Sequence, residues 1–105
     1  MINLSKPNPE LRNGFKDKKR MAAIHELPCT ICFASDIKQI TRTVAHHKIG
    51  NGLGLKASDK LTMAICEDHH TGKNGVHTIS LKKWEEKFFS QTELIEFTNK
   101  MLEDL

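Results

Sequence analysis

The chain is expected to fold as one small α+β domain, with two short strands and a helical turn at its centre and helices on either side. Three observations carry that expectation. Residues 40–47 and 61–65 are rich in β-branched side chains and have strand length. Residues 17–27, 80–89 and 90–105 instead space their apolar side chains as helices do. The length of 105 residues fits a single domain, one that buries only about two-thirds of its unfolded surface.

Taken in order, residues 1–15 are polar and carry Pro7, Pro9 and Gly14. They read as a flexible N-terminal arm, with the single domain running over 16–105. Asp17 to Leu27 lacks Gly and Pro and places Ala23, Ile24 and Leu27 on one helical stripe; Pro28 cannot continue it. Its start is basic, with Lys16, Lys18, Lys19 and Arg20, which serve either as a solvated face or as a phosphate-contacting edge. Ile40–His47 reads as a strand, Gly50, Asn51, Gly52 and Gly54 as a loop, and Leu61–Ile65 as a second strand. The simplest join is an antiparallel hairpin. A helical turn then carries Glu67 to His70, and Gly72 and Gly75 mark turns. Ser80 is a plausible N-cap for a helix with Leu81, Trp84 and Phe88 on one face. Ser90 and Glu93 form a capping-box pattern before a last helix, whose stripe is Leu94, Phe97, Thr98, Met101, Leu102 and Leu105.

Hydrophobic content of 38% and charged content of 28% are those of a soluble globular protein. No apolar run approaches twenty residues, so no membrane association is expected. The N-terminus lacks the apolar centre of a signal peptide, and the expected location is the cytoplasm. The net charge is +3 and unevenly spread. Residues 1–27 hold six Lys or Arg against three Asp or Glu, whereas residues 81–105 hold four against six. The basic excess faces phosphate in one reading and is ordinary surface charge in the other.

The three cysteines are an odd set for a disulfide framework in a reducing compartment. A lone Cys29-x-x-Cys32 is weak evidence and also fits a redox pair. Cys66-x-x-His69 follows after 33 intervening residues. Together the two knuckles match a tetrahedral structural zinc site with three thiolates and one imidazole. Five of the six histidines fall between His46 and His77, and two pairs are adjacent. Neighbouring strand residues point to opposite faces. One of His46 and His47 can therefore face a metal. With His69 in the zinc knuckle, His46 and His70 could bind one catalytic ion and leave His47 as the general base that phosphodiester hydrolysis requires.

The ordered set Cys29-x-x-Cys32, Ala45-His46-His47, Cys66-x-x-His69-His70 resembles the HNH, or ββα-metal (His-Me finger), endonuclease superfamily. The longer series is similar to the phage recombination-enhancement, RecA-dependent nucleases. It runs His46-His47-Lys48-Ile49, Gly50-x-Gly52-x-Gly54-Leu55, Ala57-Ser58-Asp59, Cys66 through His77, and Lys83-Trp84-Glu85-Glu86-Lys87-Phe88. The likeness covers about residues 17–102. It implies a zinc-stapled ββα-metal core and DNA endonuclease activity in phage or prophage recombination or repair. It further implies a structural Zn²⁺, a catalytic Mg²⁺ or other divalent cation, and a RecA-type recombinase filament as partner. By motif, His47 would be the general base and His46 and His70 metal ligands. The superfamily often places an Asn before the second knuckle, but residues 59–65 contain none. Asp59 is the nearest polar candidate for that place, and a third ligand is expected from His77 or Asp59. Lys48 and Lys73, each beside a histidine motif, join Lys18, Lys19 and Arg20 as expected DNA contacts. The alternative is a non-catalytic zinc module that binds nucleic acid or protein and uses His46, His47 and His70 for packing.

Overall fold

The computed structural model describes residues 8–50 and 56–105. The described elements are α1 (Lys18–Ile24), α2 (Thr30–Ala34), β1 (Thr43–His47), β2 (Thr62–Cys66), α3 (Glu67–His70), α4 (Leu81–Lys87) and α5 (Gln91–Glu103), after a 3₁₀ turn at Pro9–Leu11. The α+β class and the central strand–strand–helix order match expectation. No described helix is long and apolar enough to cross a membrane.

β1 and β2 pair antiparallel, with Val44 opposite Ile65, His46 opposite Met63 and His47 opposite Thr62. Every residue of β2 is buried, because both faces are covered. Met63 and Ile65 enter a cluster with Cys29, Cys32, Trp84 and Leu94, while Ala64 packs with Ile24 and Leu27 on the opposite face. An open strand edge would leave backbone groups unpaired. Here the Thr98 hydroxyl accepts from the Ala64 N–H (3.0 Å) and the Thr30 hydroxyl donates to the Ala64 carbonyl (2.7 Å). Helices α2 and α5 thus hold β2 through hydroxyls as well as apolar contacts.

The caps follow the sequence. Asp17 accepts from the Arg20 N–H at 3.0 Å, and Ser90 and Glu93 close a reciprocal capping box. Three readings change. Helix α2 lies in a stretch read only as a cysteine knuckle, and Cys29 is its N-cap, with Sγ accepting from the Cys32 N–H. Leu105, placed on the buried stripe of the last helix, is exposed, and Ile95 is buried in its stead. The N-terminal arm is not free over its described part. The Ser58 hydroxyl donates to the Glu10 carbonyl, the Gly14 N–H to Lys56 O (2.9 Å) and the Asp59 N–H to Phe15 O (2.9 Å). Residues 1–7 and the glycine loop at Asn51, Gly52 and Gly54 lie outside the described residues.

Candidate functional site

Two clusters of metal-ligating side chains meet at α3. The first joins Cys29, Cys32, Cys66 and His69, all buried. Cys29 and Cys32 come from the start of α2, Cys66 from the end of β2, and His69 from one turn later. His69 Nδ1 lies 3.1 Å from Cys66 Sγ and 3.9 Å from both Cys29 Sγ and Cys32 Sγ. Cys32 and Cys66 sulfurs are 3.9 Å apart, far beyond a disulfide bond. A tetrahedral zinc with ligand bonds near 2.1–2.3 Å separates its ligand atoms by about 3.6–3.8 Å. The four side chains therefore fit such an ion. Burial pushes the Cys29 and Cys32 thiols up and the His69 imidazole down, so ionised sulfur here calls for a cation. The buried Cys₃His cluster can hold a metal ion such as zinc.

The second group joins His46 at the end of β1, His70 on α3, and His77. Their ligand nitrogens all lie within 4.8 Å of one another. Ring centroids are 5.1 Å apart for His46–His70 and for His46–His77, and 4.7 Å for His70–His77. His46 is buried, His70 half-buried and His77 exposed, so the group opens to solvent on one side. His77 reaches this place because the chain folds back on α3. The Val76 N–H donates to His69 O (3.0 Å) and the His77 N–H to His70 O (3.1 Å). Gly72 and Gly75 permit the close approach: a Cβ on Gly75 would sit 2.6 Å from the His70 carbonyl oxygen.

Burial, reinforced by the neighbouring His70, pushes the His46 imidazole down to about 4, which leaves it neutral near pH 7. Burial and His77 lower His70 in the same direction. Gln91, at the first turn of α5, orients His46. Its Oε1 accepts from the Ile49 N–H (3.0 Å), its Nε2 donates to Ile49 O (3.1 Å), and His46 Nε2 lies 3.2 Å from the same Oε1. The Ile49 pair fixes the amide, so His46 Nε2 carries the proton and Nδ1 keeps the lone pair a ligand needs. Sequence reasoning missed Gln91. Nothing in its local spacing ties it to a histidine 45 residues away.

His47 faces the other way and pairs with Asp59, its Nε2 at 2.7 Å from Asp59 Oδ1 with both side chains largely buried. The other carboxylate oxygen accepts from the Asp17 N–H at 2.8 Å. Burial opposes the Asp59 charge, but the hydrogen bonds from Asp17 and His47 hold its carboxyl below the usual range. Asp59 is thus corrected as a candidate metal ligand. Its carboxylate belongs to His47 and to the start of α1, and His77 stands in the histidine group instead.

The expected phosphate contacts divide. Lys18, Lys19 and Lys73 are exposed. Arg20 is not available: its guanidinium donates to Thr62 Oγ1 (2.9 Å), Thr62 O (2.7 Å) and Asn99 Oδ1 (2.7 Å), tying α1 to β2 and α5. Lys48 is partly buried, and its N–H continues the β ladder to Leu61 O.

No model of a known protein family matches the chain, and comparison with curated proteins and with solved structures gives no match either.

Proposed function

We propose that the chain is a metal-dependent DNA endonuclease of the HNH type. The observation that carries the reading is one strand end serving two neighbouring constellations. His46 joins His70 and His77 in a group with an open side, and the adjacent His47 is hydrogen-bonded to a buried carboxylate. A packing role alone does not call for three imidazoles drawn together by two turns where a side chain would not fit.

In this reading Cys29, Cys32, Cys66 and His69 hold a structural zinc, and His46, His70 and His77 hold the catalytic divalent ion. That ion supplies Lewis-acid stabilisation of the charge that develops on the phosphodiester oxygens. Three imidazole nitrogens favour a first-row transition ion over magnesium, which prefers oxygen ligands. His47 is the general base. Its Nε2–H donates to Asp59, which leaves Nδ1 to take the proton from water as that water attacks phosphorus. Asp59 holds the ring in this tautomer and stabilises the imidazolium that forms. Lys73 and Lys48, next to the histidine motifs, supply cations for the DNA backbone. Action in phage or prophage recombination and dependence on a RecA-type filament rest on the family resemblance of the sequence.

The test is nicking of supercoiled and single-stranded DNA across Mg²⁺, Mn²⁺, Ni²⁺ and Zn²⁺, with and without recombinase. Metal-dependent cleavage that His47→Ala slows by about 10²–10⁴ is expected. A parent protein that cuts no DNA under any of these conditions favours the non-catalytic zinc module.

A further inference from the structure

We propose that Arg12, Lys16 and Lys56 form a cationic ledge beside His47 that binds the phosphate backbone of DNA; this rests on the nuclease reading above. Residues 10–17 run along residues 56–59 and are joined to them at four points. Ser58 donates to the Glu10 carbonyl, the Gly14 N–H to Lys56 O, the Asp59 N–H to Phe15 O, and the Asp17 N–H to Asp59 Oδ2. Lys16 therefore lies between two residues that both bond Asp59, and Asp59 bonds His47. Lys56 lies opposite Gly14, and the Arg12 carbonyl accepts from the Phe15 N–H in the turn that leads there. Two cations of the N-terminal stretch and one from at least 40 residues later come to one edge, next to the residue assigned as general base.

Arg12 and Lys56 are uncommitted, while the Lys16 charge helps to hold the Asp59 carboxyl ionised. All three are exposed, and among the described residues none of them forms an ion pair. The neighbouring acids are partly engaged. Asp17 pairs with Lys60 at 2.7 Å, whereas Asp59, which accepts from His47 and the Asp17 N–H, keeps its charge, as does Glu10. The ledge thus sets three positive charges against the carboxylates of Glu10 and Asp59 and stays net positive. Such an edge complements a polyanion in a sequence-independent way. Arg20 shows the contrast: it is more conspicuous in sequence but spends its donors on Thr62 and Asn99.

The experiment measures DNA affinity of the full chain against salt, without added divalent ion so that the substrate stays intact. The variants are Arg12→Ala/Lys16→Ala/Lys56→Ala, the charge-keeping Arg12→Lys/Lys16→Arg/Lys56→Arg, and Lys38→Ala/Lys82→Ala/Lys100→Ala as an equal charge loss elsewhere. The ledge variant should bind at least about tenfold more weakly at 0.1 M salt, with a slope of log K against log salt shallower by about 2–3. The charge-keeping variant should match the parent, and the distant variant should change less than the ledge variant. Parental affinity and slope in the ledge variant overturn the proposal, as does an equal loss in the distant one. Cleavage of the same DNA is scored separately. A parent that binds through the ledge but never cuts overturns the nuclease reading and leaves the ledge standing.

Discussion

The Cys₃His cluster and the three-histidine group share one helical turn and differ in nearly everything else. His69 and His70 are adjacent on α3, yet the first enters a buried four-ligand set and the second a three-ligand set open at His77. Four soft or borderline ligands in a closed shell suit an ion that holds chain segments together. Three imidazoles with a free side suit an ion that must also meet a substrate. The lesson is that α3 need not be long. Four residues suffice because β2 delivers Cys66 to one side and β1 delivers His46 to the other.

The sharpest way to break the contrast is to open the closed centre. Cys66→Ser removes a ligand that sits 3.1 Å from His69 Nδ1. Structural zinc supplies on the order of 10 kcal/mol in small metal domains. Cys66→Ser and chelation are both expected to unfold the domain, read by thermal melting alongside zinc content. An unchanged melting temperature with full zinc in Cys66→Ser would remove the structural role.

The His47–Asp59 pair beside the open centre should respond in rate, not fold. His47→Ala is expected to lose about 10²–10⁴ in cleavage rate while melting and metal content stay parental. Asp59→Asn should lose less, because the amide oxygen can still accept from His47. Comparing rates at saturating metal checks both, and parental cleavage by His47→Ala would end the base assignment.

Gln91→Ala probes the support of the open centre. Loss of the group that orients a metal-bound histidine commonly weakens affinity about 10–100-fold. Metal titration should show that loss at the histidine group only, with the Cys₃His zinc retained. Equal affinity in variant and parent would mean His46 needs no orienting partner.

The smallest effect separates folding from binding at α1. Arg20→Ala should cost about 1–3 kcal/mol of stability, since its charged donors reach Thr62 and Asn99. The salt slope of DNA binding should stay parental, and a shallower slope would return Arg20 to the phosphate contacts.

Much of this was readable in advance, for definite reasons. The knuckle spacing fixes which sulfurs can converge, and strand alternation alone separates His46 from His47. Ser90 and Glu93 announced α5 because a capping box is a local signal. What escaped depends on contacts distant in sequence. Asp59 bonds His47 from 12 residues away, Gln91 reaches His46 from 45, and Arg20 meets Thr62 across 42. Helix α2 is five residues long, too short to show a periodicity. His77 comes beside His46 and His70 only because the turn at Gly72 and Gly75 folds the chain back onto α3.

The most direct test of a closed structural centre beside an open catalytic one is His70→Ala, with plasmid cleavage and metal content measured on the same samples. The account predicts that the variant keeps one tightly held zinc, melts like the parent, loses the second, exchangeable ion and no longer cuts DNA. Cleavage at the parental rate, or loss of the tight zinc with the fold, would contradict it.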